Sequence, residues 1–168
     1  MRADVLIHTY NNAKGAGLVS LLNYAPSEGG KGLAVILYDQ GNSDALQLAT
    51  IDPATGKLSK VKSISLGASI AENTWYLLDV SVSIVDVLGA DILLVFAQVF
   101  RHQTPTDPNS PIAGPVGSLL IFQDGSPSDL GLAESGEVGI AASAFSTNVN
   151  SSVTNFSIVR CFPPPSDH

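Results

Sequence analysis

The sequence predicts an all-β domain folded as a two-sheet antiparallel β-sandwich. Three observations carry this. Turn-forming residues recur at short intervals along the chain. The stretches between them are short and rich in Val, Ile, Leu and aromatic residues. The most regular stretch alternates with period two, not with a helical period.

The punctuation runs through Gly15-Ala16-Gly17, Pro26 to Gly32, Gly41-Asn42, Asp52 to Gly56 and Gly67 in the first half. Gly89, Pro105 to Pro115, Asp124-Gly125 and Gly136 continue it. Between these, strands are expected over Asp4–Tyr10, Gly17–Tyr24, Leu33–Asp39, Ala45–Ile51 and Leu58–Leu66, then over Trp75–Val85, Asp91–Arg101, Ser118–Phe122, Val138–Ser143 and Val153–Cys161. In Trp75–Val85, the residues Tyr76, Leu78, Val80, Val82 and Ile84 share one face, opposite Leu77, Asp79, Ser81 and Ser83. Leu58–Leu66 alternates less cleanly. Asp52-Pro53-Ala54-Thr55-Gly56-Lys57 reads as the turn of a hairpin over Ala45–Leu66, because Pro presets φ and Gly accepts the left-handed position. Ala68–Asn73 and Ser128–Glu134 read as single helical turns. His102 to Gly117 holds four prolines and reads as a long polar loop, of a length that is often functional.

Residues 1–162 are expected to form one domain, a length that can bury a sizeable core. Residues 163–168, a Pro-rich run, are expected to be a linker or frayed end. The longest apolar run, Ile92 to Ala97, is far short of the roughly 20 residues a spanning helix needs, so no membrane span is expected. The net charge of −7 disfavours nucleic acid as a partner. The single cysteine, Cys161, cannot form an intrachain disulfide. No signal peptide is legible. Sparse Lys and Arg among many Ser, Thr, Asn and Gly suit an extracellular or cell-surface protein with its signal removed; otherwise the chain is cytoplasmic.

Three segments together resemble the concanavalin A-like lectin/glucanase superfamily, close to its laminin-G-like jelly rolls. Trp75-Tyr76-Leu77-Leu78-Asp79-Val80-Ser81-Val82 is similar to the family's strand with an aromatic pair followed by alternating apolar residues. Gly136-Glu137-Val138-Gly139-Ile140-Ala141-Ala142 resembles its G-x-V-G-L strand. Val153-Thr154-Asn155-Phe156-Ser157-Ile158 resembles its closing strand. The resemblance covers residues 30 to 160. It implies two antiparallel sheets packed face to face, one often concave, with the last strand near the first. It does not select a function, since the superfamily spans enzymes, lectins and adhesion modules.

The chemistry of glycoside cleavage is not legible here. A retaining glycosidase needs two carboxyls about 5 Å apart. The glutamates Glu28, Glu72, Glu134 and Glu137 include no pair at i, i+2 or i+4 on an expected strand. The histidines His8, His102 and His168 form no triad pattern, and there is no Gly-x-Ser-x-Gly elbow, phosphate loop or zinc spacing. An enzyme reading would have to rest on His102 and Asp107 in the long loop.

Calcium is a candidate cofactor. Asp39, Asn42 and Asp44 stand in one oxygen-rich turn that can converge on a hard cation, and the resemblance implies jelly rolls that often hold a structural calcium. The same residues also make ordinary Asx turns. For sugar binding the candidates are Trp75 as an aromatic platform, with the tyrosines Tyr10, Tyr24, Tyr38 and Tyr76, and Asp79, His102, Asp107 and Asn109 as polar partners. Trp75 equally suits sheet packing. The expected function is a non-catalytic binding module for carbohydrate. The alternative is a structural or protein-interaction domain, monomeric or pairing an exposed edge strand into a homodimer.

Overall fold

In a computed structural model of the chain, residues 1–7, 14–22, 31–39, 44–52, 54–124, 127–132, 137–144 and 151–158 are described. They are nearly all β. The strands are β1 (Arg2–Ile7), β2 (Lys14–Leu22), β3 (Gly32–Asp39), β4 (Ala45–Ile51), β5 (Leu58–Ser65), β6 (Trp75–Val87), β7 (Ala90–His102), β8 (Ile112–Asp124), β9 (Glu137–Ala144) and β10 (Ser151–Ser157). Each expected strand has a counterpart among the described residues, and the expected ends at Tyr10, Tyr24 and Cys161 lie outside them.

The strands form two five-stranded antiparallel sheets. Sheet A has the order β10-β1-β6-β7-β8, and sheet B the order β5-β4-β3-β2-β9. One apolar core joins them. Ala3, Val5 and Ile7 of β1, Leu78 and Val80 of β6, and Leu93, Val95 and Val99 of β7 meet Leu33, Val35 and Leu37 of β3 and Leu46 and Leu48 of β4. The arrangement is sandwich-like. Each such buried Val, Leu or Ile side chain contributes about 1.5–3 kcal/mol. In sheet B, β3 is an unbroken apolar run because both its faces are buried. Ala34, Ile36 and Tyr38 point away from the shared core and pack with Ile51 and Leu58.

The β4–β5 hairpin closes as its turn chemistry dictates. Asp52 Oδ1 accepts the Ala54 amide at 2.9 Å, the Gly56 amide bonds the Asp52 carbonyl at 2.7 Å, and Gly56 takes φ +67°. The imperfect alternation of β5 has a physical cause. The register slips at Val61, so Leu48 opposes Lys62 while Ala49 opposes Lys60. Leu58 therefore packs on the outer cluster, whereas Ile64, of the same sequence parity, packs on the core.

Two expectations are corrected. Residues 102–117 are not one loop: β8 begins at Ile112. Proline argued against a strand, but β8 is the last strand of sheet A, where a missing N–H is tolerated; Pro115 opposes Phe100 there. The true loop is Gln103–Pro111, closed by the Gln103 amide on the Pro111 carbonyl at 2.8 Å. Ala68–Asn73 forms no helical turn. Its backbone donors are taken by tertiary acceptors instead: Ile70 N–H by the Asp44 carboxylate, Ala71 N–H by Tyr76 Oη, and Asn73 N–H by the Ile7 carbonyl. The expected turn at Ser128–Glu134 is a single short 3-10 turn, Pro127–Leu130, where described. The Pro-rich tail lies outside the described residues.

Candidate functional site

The outer face of sheet A carries most of the candidate residues. In β6 the core takes Tyr76, Leu78 and Val80, which turns Trp75, Leu77, Asp79 and Ser81 outward. In β7 the core takes Leu93, Val95, Ala97 and Val99, which turns Phe96, Gln98, Phe100 and His102 outward. In β1 the core takes Ala3 and Val5, so Arg2 and Asp4 face outward too.

The upper half of this face is roofed by the 103–111 loop and held by a buried polar cluster. His102 Nε2 lies 2.6 Å from Asp4 Oδ1, and both side chains are almost fully buried. His102 Nδ1 lies 2.8 Å from the Ser110 carbonyl. Both ring nitrogens are thus engaged, one by Asp4 and one by the Ser110 carbonyl. Asn155 completes the cluster. It sits at φ +51° in a register shift of the β1–β10 pair, and its Nδ2 donates to Asp4 Oδ2 at 2.8 Å and to Asn109 Oδ1 at 3.2 Å. Ser110 Oγ ties the loop to itself, accepting from the Thr104 amide and donating to the Thr104 and Asp107 carbonyls.

The lower half is open. A shallow depression of about 160 Å³ is lined by Asp79, Ser81, Phe96, Gln98, Phe100 and Leu119. Phe96 and Leu119 are exposed there. Asp79 Oδ2 meets Arg2 Nη2 at 2.9 Å on an exposed rim. Gln98 stands where β8 bulges, its Nε2 donating to the Val99 and Gly117 carbonyls at 3.4 Å each. Gly117 makes the bulge possible. It has φ +67°, and a Cβ there would lie 2.4 Å from the Leu66 carbonyl oxygen.

The sequence-derived residues thus separate. Asp79 lines the depression. Trp75 is half-buried at the top of the same face, its amide bonded to the Pro105 carbonyl at 2.8 Å. His102 is buried beneath the loop and is engaged by Asp4 and Ser110. Asp107 is exposed and accepts the Asn109 amide at 2.9 Å, an Asx turn, so the structure does not pair it with His102. Both His102 nitrogens are engaged within the cluster, by Asp4 and by the Ser110 carbonyl. Tyr38 and Tyr76 are buried and form no platform; Tyr10 and Tyr24 lie outside the described residues.

Of the calcium turn, Asp44 is buried, and its carboxylate binds the Ile70 amide. Asn42 and the Asp39 side chain lie outside the described residues. Among the described residues, no three His, Cys, Asp or Glu side chains gather as a metal group. Also among them, no helix is long and apolar enough to cross a membrane.

Sequence reasoning missed Phe96, Phe100, Gln98 and Leu119, and the roles of Asp4 and Asn155. The signal for Phe96 lay in the unbroken run Ile92–Ala97: a strand on an open sheet face that stays apolar at both parities exposes one apolar row. Comparison with protein-family models, curated proteins and solved structures finds no match to this chain.

Proposed function

We propose that the chain is a non-catalytic binding domain that presents the outer face of sheet A to carbohydrate. The observation that carries this is the open depression where Phe96 and Phe100 lie beside Asp79, Gln98 and the Arg2 guanidinium. Sugar rings stack their C–H faces on aromatic rings, and their hydroxyls need donors and acceptors at the rim. Two sheets over a shared core, with the last strand beside the first, support a jelly roll of the concanavalin A-like kind as the scaffold. An extracellular or cell-surface setting fits this reading, with a structural calcium at the Asp39–Asp44 turn.

The test is a glycan-array screen run with calcium and with a chelator, repeated for Phe96→Ala and Phe100→Ala. Selective binding that drops at least about tenfold, or 1.4 kcal/mol, in either variant supports the reading. Loss on chelation adds the calcium turn. Binding to no glycan in either buffer overturns it.

A structural or protein-interaction domain is the second reading. Exposed Ile84, Val85, Val87 and Leu88 at the far end of the β6–β7 hairpin favour it, because exposed apolar patches commonly mark protein contacts.

A further inference from the structure

We infer that the depression on sheet A is part of a linear site, which takes the terminal segment of a straight, uncharged sugar chain lying along β7 with its end against the 103–111 loop. This rests on the carbohydrate reading of that face and adds the shape, the charge and the end of the ligand. Direction comes from β7. Phe96, Gln98 and Phe100 alternate with the core residues Ala97 and Val99, so they stand in one outward row. The two phenylalanines are four residues apart on one strand, about 13 Å. One sugar ring is close in size to one phenyl ring and covers one of them. Only several linked sugars, laid out straight, cover both. The tier between the rings is polar, because Gln98 stands opposite Asp79 there, and Ser81 flanks Phe96. A straight sugar chain presents C–H faces to the rings and hydroxyl edges to these groups.

The row has a stop at one end. The next outward residue after Phe100 is His102, only 3% exposed, with the Ser110 carbonyl of the loop 2.8 Å from its Nδ1. The loop also reaches β6, where the Pro105 carbonyl accepts the Trp75 amide at 2.8 Å, and β10, where Asn109 meets Asn155. It therefore crosses the strands of sheet A just beyond Phe100. A ligand lying across the strands would pass beside this wall, but one lying along β7 runs into it and must end there. At the other end of the row Phe96 is 37% exposed, so the rest of the ligand leaves over that residue.

The charge of the ligand follows from Asp79. It is the charged side chain that lines the depression, and Arg2 holds it at 2.9 Å. The charge is compensated before a ligand arrives. A chain of acidic sugars would find Arg2 already engaged and would approach a protein of net charge −7. Neutral hydroxyls need no counter-ion and can share the donors and acceptors of the pair.

The experiment is calorimetric titration with β-1,4-linked oligosaccharides of glucose, mannose and xylose, which are straight and neutral, and with galacturonate oligomers as the charged comparison. In at least one neutral series, affinity is expected to rise at least about tenfold from the two-unit sugar to the longer members. The stoichiometry is expected to stay at one protein per sugar chain as the chains lengthen further, because each has one matching end. Phe96→Ala is expected to remove most of the gain with length and to leave the two-unit sugar, seated on Phe100 by the loop, bound as before. Phe96→Tyr is expected to restore the gain. A variant that merely misfolds would lose both. Several proteins on one long sugar chain overturn the inference, as do an affinity independent of length and a preference for galacturonate. If the glycan array shows binding only to single or branched sugars and the linear panel is silent, the inference fails and the carbohydrate reading stands. Silence in both overturns both.

Discussion

At the scale of single residues, burial decides what a polar group does. Asp4 and His102 are far apart in sequence and both nearly inaccessible, so each depends on the other for a hydrogen bond. Removing one partner of a buried pair strands the other, at a cost of about 3–5 kcal/mol. His102→Ala is expected to lose stability on that order in urea unfolding. In a double-mutant cycle with Asp4→Ala, the second change is expected to cost less than it does alone, since the pair is then absent. The 103–111 loop should become the first site of proteolysis in His102→Ala, because Ser110 loses its anchor. Asp52 shows the opposite case, a charge in solvent. The Ala54 amide foremost, with Thr55, holds its carboxyl below the ordinary value of 3.8. A carboxyl whose folded pKa is depressed adds stability above its unfolded pKa, and that stability is lost as pH falls through the folded value. The stability gap between wild type and Asp52→Ala is therefore expected to hold at neutral pH and to narrow below about pH 4, where the unfolded carboxyl titrates. Urea unfolding at pH 7 and pH 3 checks this, and a gap that widens in acid refutes it.

At the scale of elements, local rules explain most of what was legible and also what was not. Period-two alternation located β6, and the Asp-Pro-x-x-Gly turn located the β4–β5 hairpin, because both signals arise within a few residues. The first half of β8 was hidden, since proline excludes a central strand and nothing local reveals that this strand is an edge. The blurred period of β5 was the trace of a bulge at Val61. The candidate site was less legible for the same reason. Asp4, His102 and Asn155 come from β1, β7 and β10, and only the order of sheet A brings these strands near one another. The β6–β7 turn carries an element-scale prediction. Leu88 and Gly89 both have positive φ, at 57° and 84°, and Val87 pairs with Ala90, the geometry of a two-residue hairpin loop that favours Asn-Gly. Leu88→Asn is expected to stabilise the isolated chain by about 1 kcal/mol, through relief of left-handed strain. A rise in melting temperature at low protein concentration is the expected result. An unchanged or lower melting temperature there would mean that Leu88 holds the hairpin through packing that asparagine cannot replace.

At the scale of the molecule, the two sheets share their main core. Leu48 on β4 and Leu78 on β6 are both fully buried in one cluster, although they belong to different sheets. Loss of either sheet exposes the whole shared cluster to water, and sheet B keeps only the small outer cluster of Ala34, Ile36 and Tyr38. The chain should consequently unfold in a single step. Leu48→Ala and Leu78→Ala are each expected to cost about 2–5 kcal/mol, the range for emptying a packed leucine site. Both should move the same transition rather than splitting it. Trp75, the sole tryptophan, lies on sheet A, so its fluorescence reports that sheet, while far-ultraviolet circular dichroism reports all strands. In urea the two signals are expected to coincide for the wild type and for both variants. A fluorescence transition that precedes or trails the dichroism in Leu48→Ala would show that sheet A melts independently. The outer face of sheet A would then be a surface able to open without sheet B, which a face held rigid for ligand binding cannot be.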